Sequence, residues 1–600
     1  MSLVARLKSE LAYLRGSLGA LRRTKVIAAN PTVTIRELAE SLAQRFGPRT
    51  ALISEHESFT YAEWNGRANR YARWAARQGV KKGDVVALLM PNRAEYLCIW
   101  LGIAKAGGVT ALINTNLAGA SLAHCINVVA AKTIIVDASL ASLLETARAH
   151  LSADLRVFAH GEGSAHPRVD AALGEFSDTD LPASERVPLT VNDKCLYIYT
   201  SGTTGLPKAA NINHYRVQLA MHGFSGATGA TQEDRIYDTL PMYHTVGGVV
   251  APGVVLTVGG TCIIREKFSA REFWGDVVRH DCTMFAYVGE LCRYLVNAPP
   301  GPDDRRHRIR LCLGNGLRPD VFVAFRDRFA LPRILEFYAA TEGNCSLFNF
   351  DSKPGAVGRI PKWLERRFII RIVKFDVESG QPIRDANGFC IECATDEVGE
   401  MVGEILDDPS RPSARFEGYA DQAATEKKIL RDVFRDGDAW FRTGDLMRKD
   451  AGRYFYFVDR IGDTFRWKGE NVSTTEVSEA ITGFPGVVEA TVYGVTVPGA
   501  EGRAGMAAIV RDPAAPFDLA ALPAYLSGHL PDYARPLFLR FRAALEITGT
   551  FKQRKVELVK EGFDPSRTSD TLYIYDARAR AFSPLDASTV AAIARGALRL

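Results

Sequence analysis

The sequence predicts an α/β fold of layered helices and largely buried sheets, on three observations. Helix-length stretches such as 62–78 alternate with short aliphatic runs, among them Val85–Leu89 and Thr133–Val136, the pattern of strands covered on both faces. The composition, 47% hydrophobic and 24% charged, is that of a globular chain, and 600 residues suffice for several folding units. Internal repeats and low-complexity linkers are absent from the sequence. The 74 Lys and Arg against 69 Asp and Glu leave +5, too dilute to argue for a nucleic-acid partner. Ten scattered cysteines, mostly in apolar runs, point to reduced thiols in the cytosol. Residues 1–30 hold no apolar stretch with a small-residue cleavage site, so no secretory leader is expected.

The charge is concentrated at the start. Leu7, Leu11, Leu14, Leu18 and Leu21 alternate at spacings of four and three, one face of a helix, and six basic residues (Arg6, Lys8, Arg15, Arg22, Arg23, Lys25) are opposed only by Glu10. Two readings stay open for residues 1–25. The helix lies on an anionic membrane surface, or it docks on the protein's own body with its basic face in water. Gly16 and Gly19 count against helix in either case. The longest run free of charged residues and histidine, Thr245–Ile264, spans 20 residues, but Gly259-Gly260 breaks it into a buried helix and a short strand, Thr261–Ile264.

An apolar strand beginning at Tyr197 runs into Thr200-Ser201-Gly202-Thr203-Thr204-Gly205 and ends at Lys208. The glycines let backbone N–H groups turn inward, the hydroxyls add donors and the lysine adds charge, which together can hold a polyphosphate. A Walker loop is excluded by spacing: the glycines stand three apart, Pro207 precedes the lysine and Ala209 follows it. Farther along, a strand at Arg310–Leu313 precedes the loop Gly314-Asn315-Gly316, which lacks the third glycine of a dinucleotide fingerprint. An aromatic strand, Tyr454–Val458, runs into the polar segment 459–463, the candidate hinge. Cys390 and Cys393 have a metal or redox spacing but no second pair or nearby histidine, so they read as ordinary strand cysteines.

The hydroxyl-rich loop resembles that of the AMP-forming acyl- and aryl-CoA synthetases, luciferases and peptide-synthetase adenylation domains, and five further segments follow in that family's order. Phe337-Tyr338-Ala339-Ala340-Thr341-Glu342 is similar to the family's aromatic-Gly-x-Thr-Glu motif, with Ala339 in place of the glycine. The resemblance implies that Tyr338 stacks on adenine, Thr341 bonds the α-phosphate and Glu342 holds Mg²⁺, with Gly314, Asn315 and Gly316 on the adenine side. It implies that Asp445 of Arg442-Thr443-Gly444-Asp445 accepts both ribose hydroxyls and that Arg460 completes the ribose site. Lys552, in Thr548-Gly549-Thr550-Phe551-Lys552, resembles the catalytic lysine. A cation has an independent reason to be there, since two anions about 4 Å apart repel by roughly 4 kcal/mol at an effective dielectric near 20. His244 resembles the residue lining the acyl pocket and is assigned a positioning role; with Thr204, Glu342 and Lys552 it completes the expected catalytic set. The segment Phe285–Leu295 is expected to border the acyl tunnel.

Thr464-Phe465-Arg466-Trp467-Lys468-Gly469-Glu470-Asn471 is more particular and resembles the fatty-acid transport protein, or very-long-chain acyl-CoA synthetase, branch. The resemblance implies a multi-subdomain α/β body over 35–460 behind the basic segment 1–34, and a small mobile α+β domain over 461–600 pivoting near Gly462-Asp463. The implied reaction joins a fatty acid to CoA with ATP through an acyl-adenylate, the face around Arg466, Lys468 and Gly469 serving the CoA step. The alternatives are a fatty-acid uptake protein with coupled activation, or a ligase for a sterol-type or carnitine-like acid. The substrates expected are a fatty acid, ATP and CoA, with Mg²⁺. The location expected is cytoplasmic, at the inner face of a membrane if residues 1–25 bind it.

Overall fold

The computed structural model describes residues 3–200, 206–408, 411–498, 500, 502–546, 553, 555–595 and 597–598. They form two units, one of residues 1–369 and 404–429 and the other of 370–403 and 430–600.

The first unit carries two sheets. One runs Arg156–His160, Thr133–Asp137, Val85–Leu89, Val109–Leu112, Lys194–Thr200, Lys208–Asn213; all neighbours are parallel except the last pair. The other runs Ser346–Asn349, Ile334–Ala339, Leu311–Asn315, Met284–Val288, Arg235–Asp238, Thr261–Ile264, Thr50–Ile53, Ser58–Thr60, with six parallel strands between two antiparallel edges. Parallel strands need crossovers, and the helices supplying them cover the sheets. The helix Ala94–Lys105 is buried all round, which is why it has no polar stripe. Its Lys105 Nζ donates to the side-chain carbonyls of Asn65 (2.5 Å) and Asn69 (2.6 Å), and burial lowers its pKa to about 8.

The uncharged run becomes a wide turn at Val246–Val250, a helix at Ala251–Leu256 and the strand Thr261–Ile264. The N-terminal helix, Leu3–Ala29, docks on the helix His214–Thr228, but not by its leucines. A Cβ on Gly16 would strike the Phe350 ring, and one on Gly19 would strike the carbonyl of Gly226. The two glycines that counted against helix are its points of closest approach, since only a missing side chain admits a backbone or ring so near.

The second unit holds the antiparallel strands Tyr454–Arg460, Ala439–Lys449, Gly399–Glu404 and Ile370–Asp376, and a five-stranded mixed sheet from 487 to 584. The aromatic strand continues through Asp459 and Arg460, because both keep pairing with residues 445–446; Gly462 and Asp463 sit in the turn after it. Buried Asp459 Oδ2 accepts from the Thr474 amide at 2.6 Å, tying that strand to the start of the helix Thr474–Thr482. A separate apolar cluster begins at Phe465 and extends to Ile593. All ten cysteines are free thiols; Cys390 forms an isolated bridge and Cys393 lies outside regular strands, because the segment between Arg384 and Cys393 pairs only residue by residue. Among the described residues no three His, Cys, Asp or Glu side chains gather as a metal set.

Candidate functional site

The site forms where the parallel strands of the eight-stranded sheet end, the edge at which open α/β sheets bind ligands. After Arg235–Asp238 the chain is held by Asn92. Its Nδ2 donates to the Leu240 carbonyl (2.8 Å) and its Oδ1 accepts from the Met242 amide (2.8 Å). A Cβ on Gly247 would stand 2.6 Å from the carbonyls of Leu240 and Pro241, so the wide turn packs on this loop only with glycine there. His244 lies between loop and turn: its amide donates to the Pro241 carbonyl at 3.1 Å and its carbonyl accepts from Gly248 at 2.8 Å. Its ring lies 4.6 Å from that of Tyr243.

The next strand end bears a correction. The strand covers Leu311–Asn315 rather than stopping at Leu313, because Gly314 and Asn315 stay in register with Tyr287 and Val288. The loop therefore opens at Gly316, whose φ of +76° suits glycine. A Cβ on Gly289 would strike the Gly316 carbonyl, so the strand ends at 288 and 315 close together. Beneath them Glu336 is fully buried; its Oε1 accepts from the Tyr287 hydroxyl (2.6 Å) and the Leu317 amide (3.3 Å), and burial raises its pKa to about 8. Tyr338 follows on the same strand, half-buried at its end.

Thr341 and Glu342 come next. The hydroxyls of Thr341 and Thr245 are 3.0 Å apart. Arg216, on the helix His214–Thr228, donates to the carbonyls of Thr341 (2.8 Å) and Gly343 (2.6 Å), and Asn344 donates to those of Glu404 and Ala414. Glu342 is 9% exposed, and its Oε1 accepts from the Tyr419 hydroxyl at 2.6 Å. Burial, then the charge of Glu342, raises the Tyr419 pKa, so the phenol stays a donor, with the nearby Thr200 side chain acting in the opposite sense. Thr200 and Lys208 are direct partners across an antiparallel pair. Lys208 Nζ lies 5.6 Å from the Tyr419 ring centroid. Burial, then Lys428 and Lys427, lowers the Lys208 pKa, against the pull of Asp421 and Glu342. The first unit thus links Thr200, Lys208, Tyr419 and Glu342 in one cluster and pairs Thr341 with Thr245. Ser201, Gly202, Thr203, Thr204, Gly205 and Lys552 lie outside the described residues.

Asp445 and Arg460 belong to the second unit, facing each other across an antiparallel pair with Arg460 Nε 4.0 Å from Asp445 Oδ1. Gly444 has φ +78°, and its amide donates to Glu400 at 3.2 Å; the Thr443 hydroxyl accepts from the Asp445 amide at 3.1 Å. Arg466, Lys468 and Gly469 lie on a hairpin, Phe465–Trp467 with Glu470–Val472. Lys468 and Gly469 take φ +52° and +82°, the two left-handed residues of a tight hairpin turn.

The residue pattern did not single out Asn92, Arg216, Glu336 or Tyr419. Each acts through a contact more than 18 residues away in sequence, and a lone Asn, Arg, Glu or Tyr carries no local signal. Gly418, immediately before Tyr419, has φ +67°.

The AMP-binding enzyme family matches residues 39–401, and the AMP-binding enzyme C-terminal domain matches 476–552. Long-chain fatty acid transport protein 1 of Mus musculus is 41% identical over 574 residues, covering 94% of this chain and 88% of its own length. Long-chain fatty acid transport protein 2 of Rattus norvegicus is 42% identical, covering 95% and 92%. The chain belongs to the AMP-binding enzyme family, in the fatty acid transport protein branch. An anthranilate CoA ligase in complex with anthranoyl-AMP shares the fold at a TM-score of 0.74 and 21% identity, over 88% of this chain and 97% of that one. A Mycobacterium tuberculosis fatty acyl CoA synthetase does so at 0.61 and 24%, over 88% and 98%. The fold is that of the adenylate-forming ligases. Magnesium fits the family site: Glu342 offers one nearly buried carboxylate, and Mg²⁺ is ordinarily held by one or two carboxylates together with substrate phosphates. Among the described residues no helix is long and apolar enough to cross a membrane.

Proposed function

We propose that the chain is an AMP-forming ligase that joins a long- or very-long-chain fatty acid to CoA. The fatty carboxylate attacks the α-phosphate of ATP, giving acyl-AMP and releasing pyrophosphate. The CoA thiol, losing its proton, then attacks the acyl carbonyl and AMP leaves. A carboxylate has no usable leaving group; an acyl phosphate does.

The observation that supports this most is the cluster Thr200–Tyr419–Glu342 with Lys208 beside it, in a chain 41% identical to long-chain fatty acid transport protein 1. Thr200, Lys208 and the hydroxyl-rich segment 201–205, with Thr204 acting on the reacting phosphate, hold the polyphosphate. Thr341 bonds the α-phosphate, and Tyr338 with 314–316 flanks adenine. Glu342, oriented by Tyr419, holds magnesium, which when bound neutralises phosphate charge. Asp445 takes the ribose hydroxyls, with Arg460 beside it. His244 orients the carboxylate where the acyl chain meets the nucleotide, and Lys552 stabilises charge on the bridging oxygen.

Residues 461–600 rotate at Gly462-Asp463 between the two half-reactions, Lys552 serving the first and the Arg466–Gly469 hairpin the second. The apolar cluster starting at Phe465 supports a body that moves as one. The enzyme works in the cytosol against the inner face of a membrane, where its substrate partitions. ATP–pyrophosphate exchange with fatty, bile and aromatic acids tests the substrate class. Exchange driven by long-chain fatty acids is expected; exchange driven by aromatic or bile acids alone overturns it.

A further inference from the structure

The leucines that the sequence lines up on one helical face point away from the protein. Leu7, Leu11, Leu14, Leu18 and Leu21 are between 40 and 63% exposed. The helix is held by its other side. There Tyr13 packs edge-on against Phe350, the Ser9 hydroxyl donates to Asp351 at 2.6 Å, Arg23 donates to Ser225 and the Ala230 carbonyl, and Ile27 is buried against Val191 and Tyr215. Docking does not use the leucines, yet they form an apolar row about 21 Å long, a kind of surface that soluble chains rarely leave to water.

A second segment, more than 330 residues away in sequence, extends the row. The short helix Lys362–Arg367 brings Trp363 alongside: 54% exposed, edge-on to Tyr13, its indole N–H donating to Glu10 Oε2 at 3.1 Å. Glu10 also takes Arg359, which closes the joint. Lys362, Arg366 and Arg367 are exposed beside Trp363, and Lys8, Arg15, Arg22 and Lys25 are exposed along the helix. Cations therefore rim an apolar strip that carries an indole at its edge.

We propose that this composite face, residues 7–26 with 362–367, is a docking surface for an anionic lipid bilayer. The leucines and Trp363 enter the boundary between headgroups and acyl chains, and the lysines and arginines lie at phosphate level. The leucine spacing would also suit a seam with a second copy of the chain. Charge argues against it. Lys8, Arg15 and Arg22 recur every seven residues along one edge of the row, so antiparallel pairing sets cation against cation. Parallel pairing could offer only Glu10, which already serves Arg359 and Trp363. Anionic headgroups complement the whole rim. The proposal locates the membrane contact assumed above on named residues and is independent of the reaction assigned to the site.

The test is co-sedimentation of the full chain with vesicles of phosphatidylcholine, alone or with about a third phosphatidylglycerol. The wild type is expected to prefer the anionic vesicles and to release as salt rises. L11S/L18S should weaken that binding at least ~10-fold, and K8E/R15E should remove the preference for anionic lipid. Both should keep the wild-type melting temperature and ATP–pyrophosphate exchange in detergent. Should the double leucine variant melt early, Leu11→Ser alone, at a position 63% exposed, serves instead. Equal binding to both vesicles, unchanged binding by the leucine variants, or a dimer in sedimentation velocity that L11S/L18S breaks while lipid binding persists, overturns the proposal. Because sedimentation needs no turnover, failure of the ligase assignment would show in the exchange assay and not here.

Discussion

Tyr419→Phe removes one oxygen from the centre of the site and leaves the ring in place. The phenol is 4% exposed and donates to Glu342 Oε1 at 2.6 Å. A hydrogen bond to a charged acceptor contributes about 1.5–3 kcal/mol, and each 1.36 kcal/mol is a factor of ten in rate. If that bond serves to hold Glu342 where the metal–nucleotide complex needs it, kcat/KM for ATP in adenylation should fall by roughly 10- to 150-fold. Phenylalanine keeps the face above which Lys208 lies, so the folded state should persist, with a modest drop in melting temperature. The assay is ATP–pyrophosphate exchange at saturating fatty acid, with the magnesium dependence measured alongside; a raised magnesium requirement is the expected companion. A change in kcat/KM under about twofold, in a protein that melts like the wild type, would refute the view that Tyr419 orients Glu342.

Lys552→Ala should lose roughly 10²-fold or more in adenylation, as for removal of one transition-state donor, while preformed acyl-AMP still reacts with CoA; equal loss in both steps would sink the alternating use of residues 461–600. Glu336 binds its proton up to about pH 8 when folded but only to about pH 4.3 when unfolded, so the cost of burying it grows as pH rises across that window. Glu336→Gln should therefore gain stability relative to wild type from pH 5 to pH 8 in urea titrations, and a pH-independent difference would count against the raised pKa. Gly19→Val should destabilise by about 1–3 kcal/mol, because its side chain meets the Gly226 backbone; unfolding by urea checks this, and an unchanged midpoint would mean the helix docks elsewhere.

Much of the fold was legible because local pattern and burial agree. The helix over 62–78 appears as Tyr61–Arg77, and the aliphatic runs at 85 and 133 are strands buried in a parallel sheet. Where the sequence misjudged an end, the partner strand decided it: pairing with Met284–Val288 carries the strand through Asn315, and pairing with residues 439–449 carries the aromatic strand through Arg460. Register is a property of two segments, so neither alone predicts where it stops. The site divides in the same way. Thr341, Glu342, Asp445 and Lys208 stand in ordered motifs that can be read along the chain, but Asn92, Arg216 and Tyr419 act only through partners distant in sequence.

The N-terminal helix draws the line most sharply. Sequence by itself determined that the leucine-lined N-terminal segment is an amphipathic, strongly cationic helix, because side-chain direction repeats with the helical turn whatever the helix packs on. It also determined the family, through motifs whose residue types and order the chemistry requires. Only the tertiary structure decided which face of that helix is covered. Docking was settled by backbone proximity at Gly16 and Gly19, where a missing side chain outweighs five leucines, and it left those leucines outside beside Trp363. Periodicity says which residues share a face; the shape of the opposing surface says which face is buried.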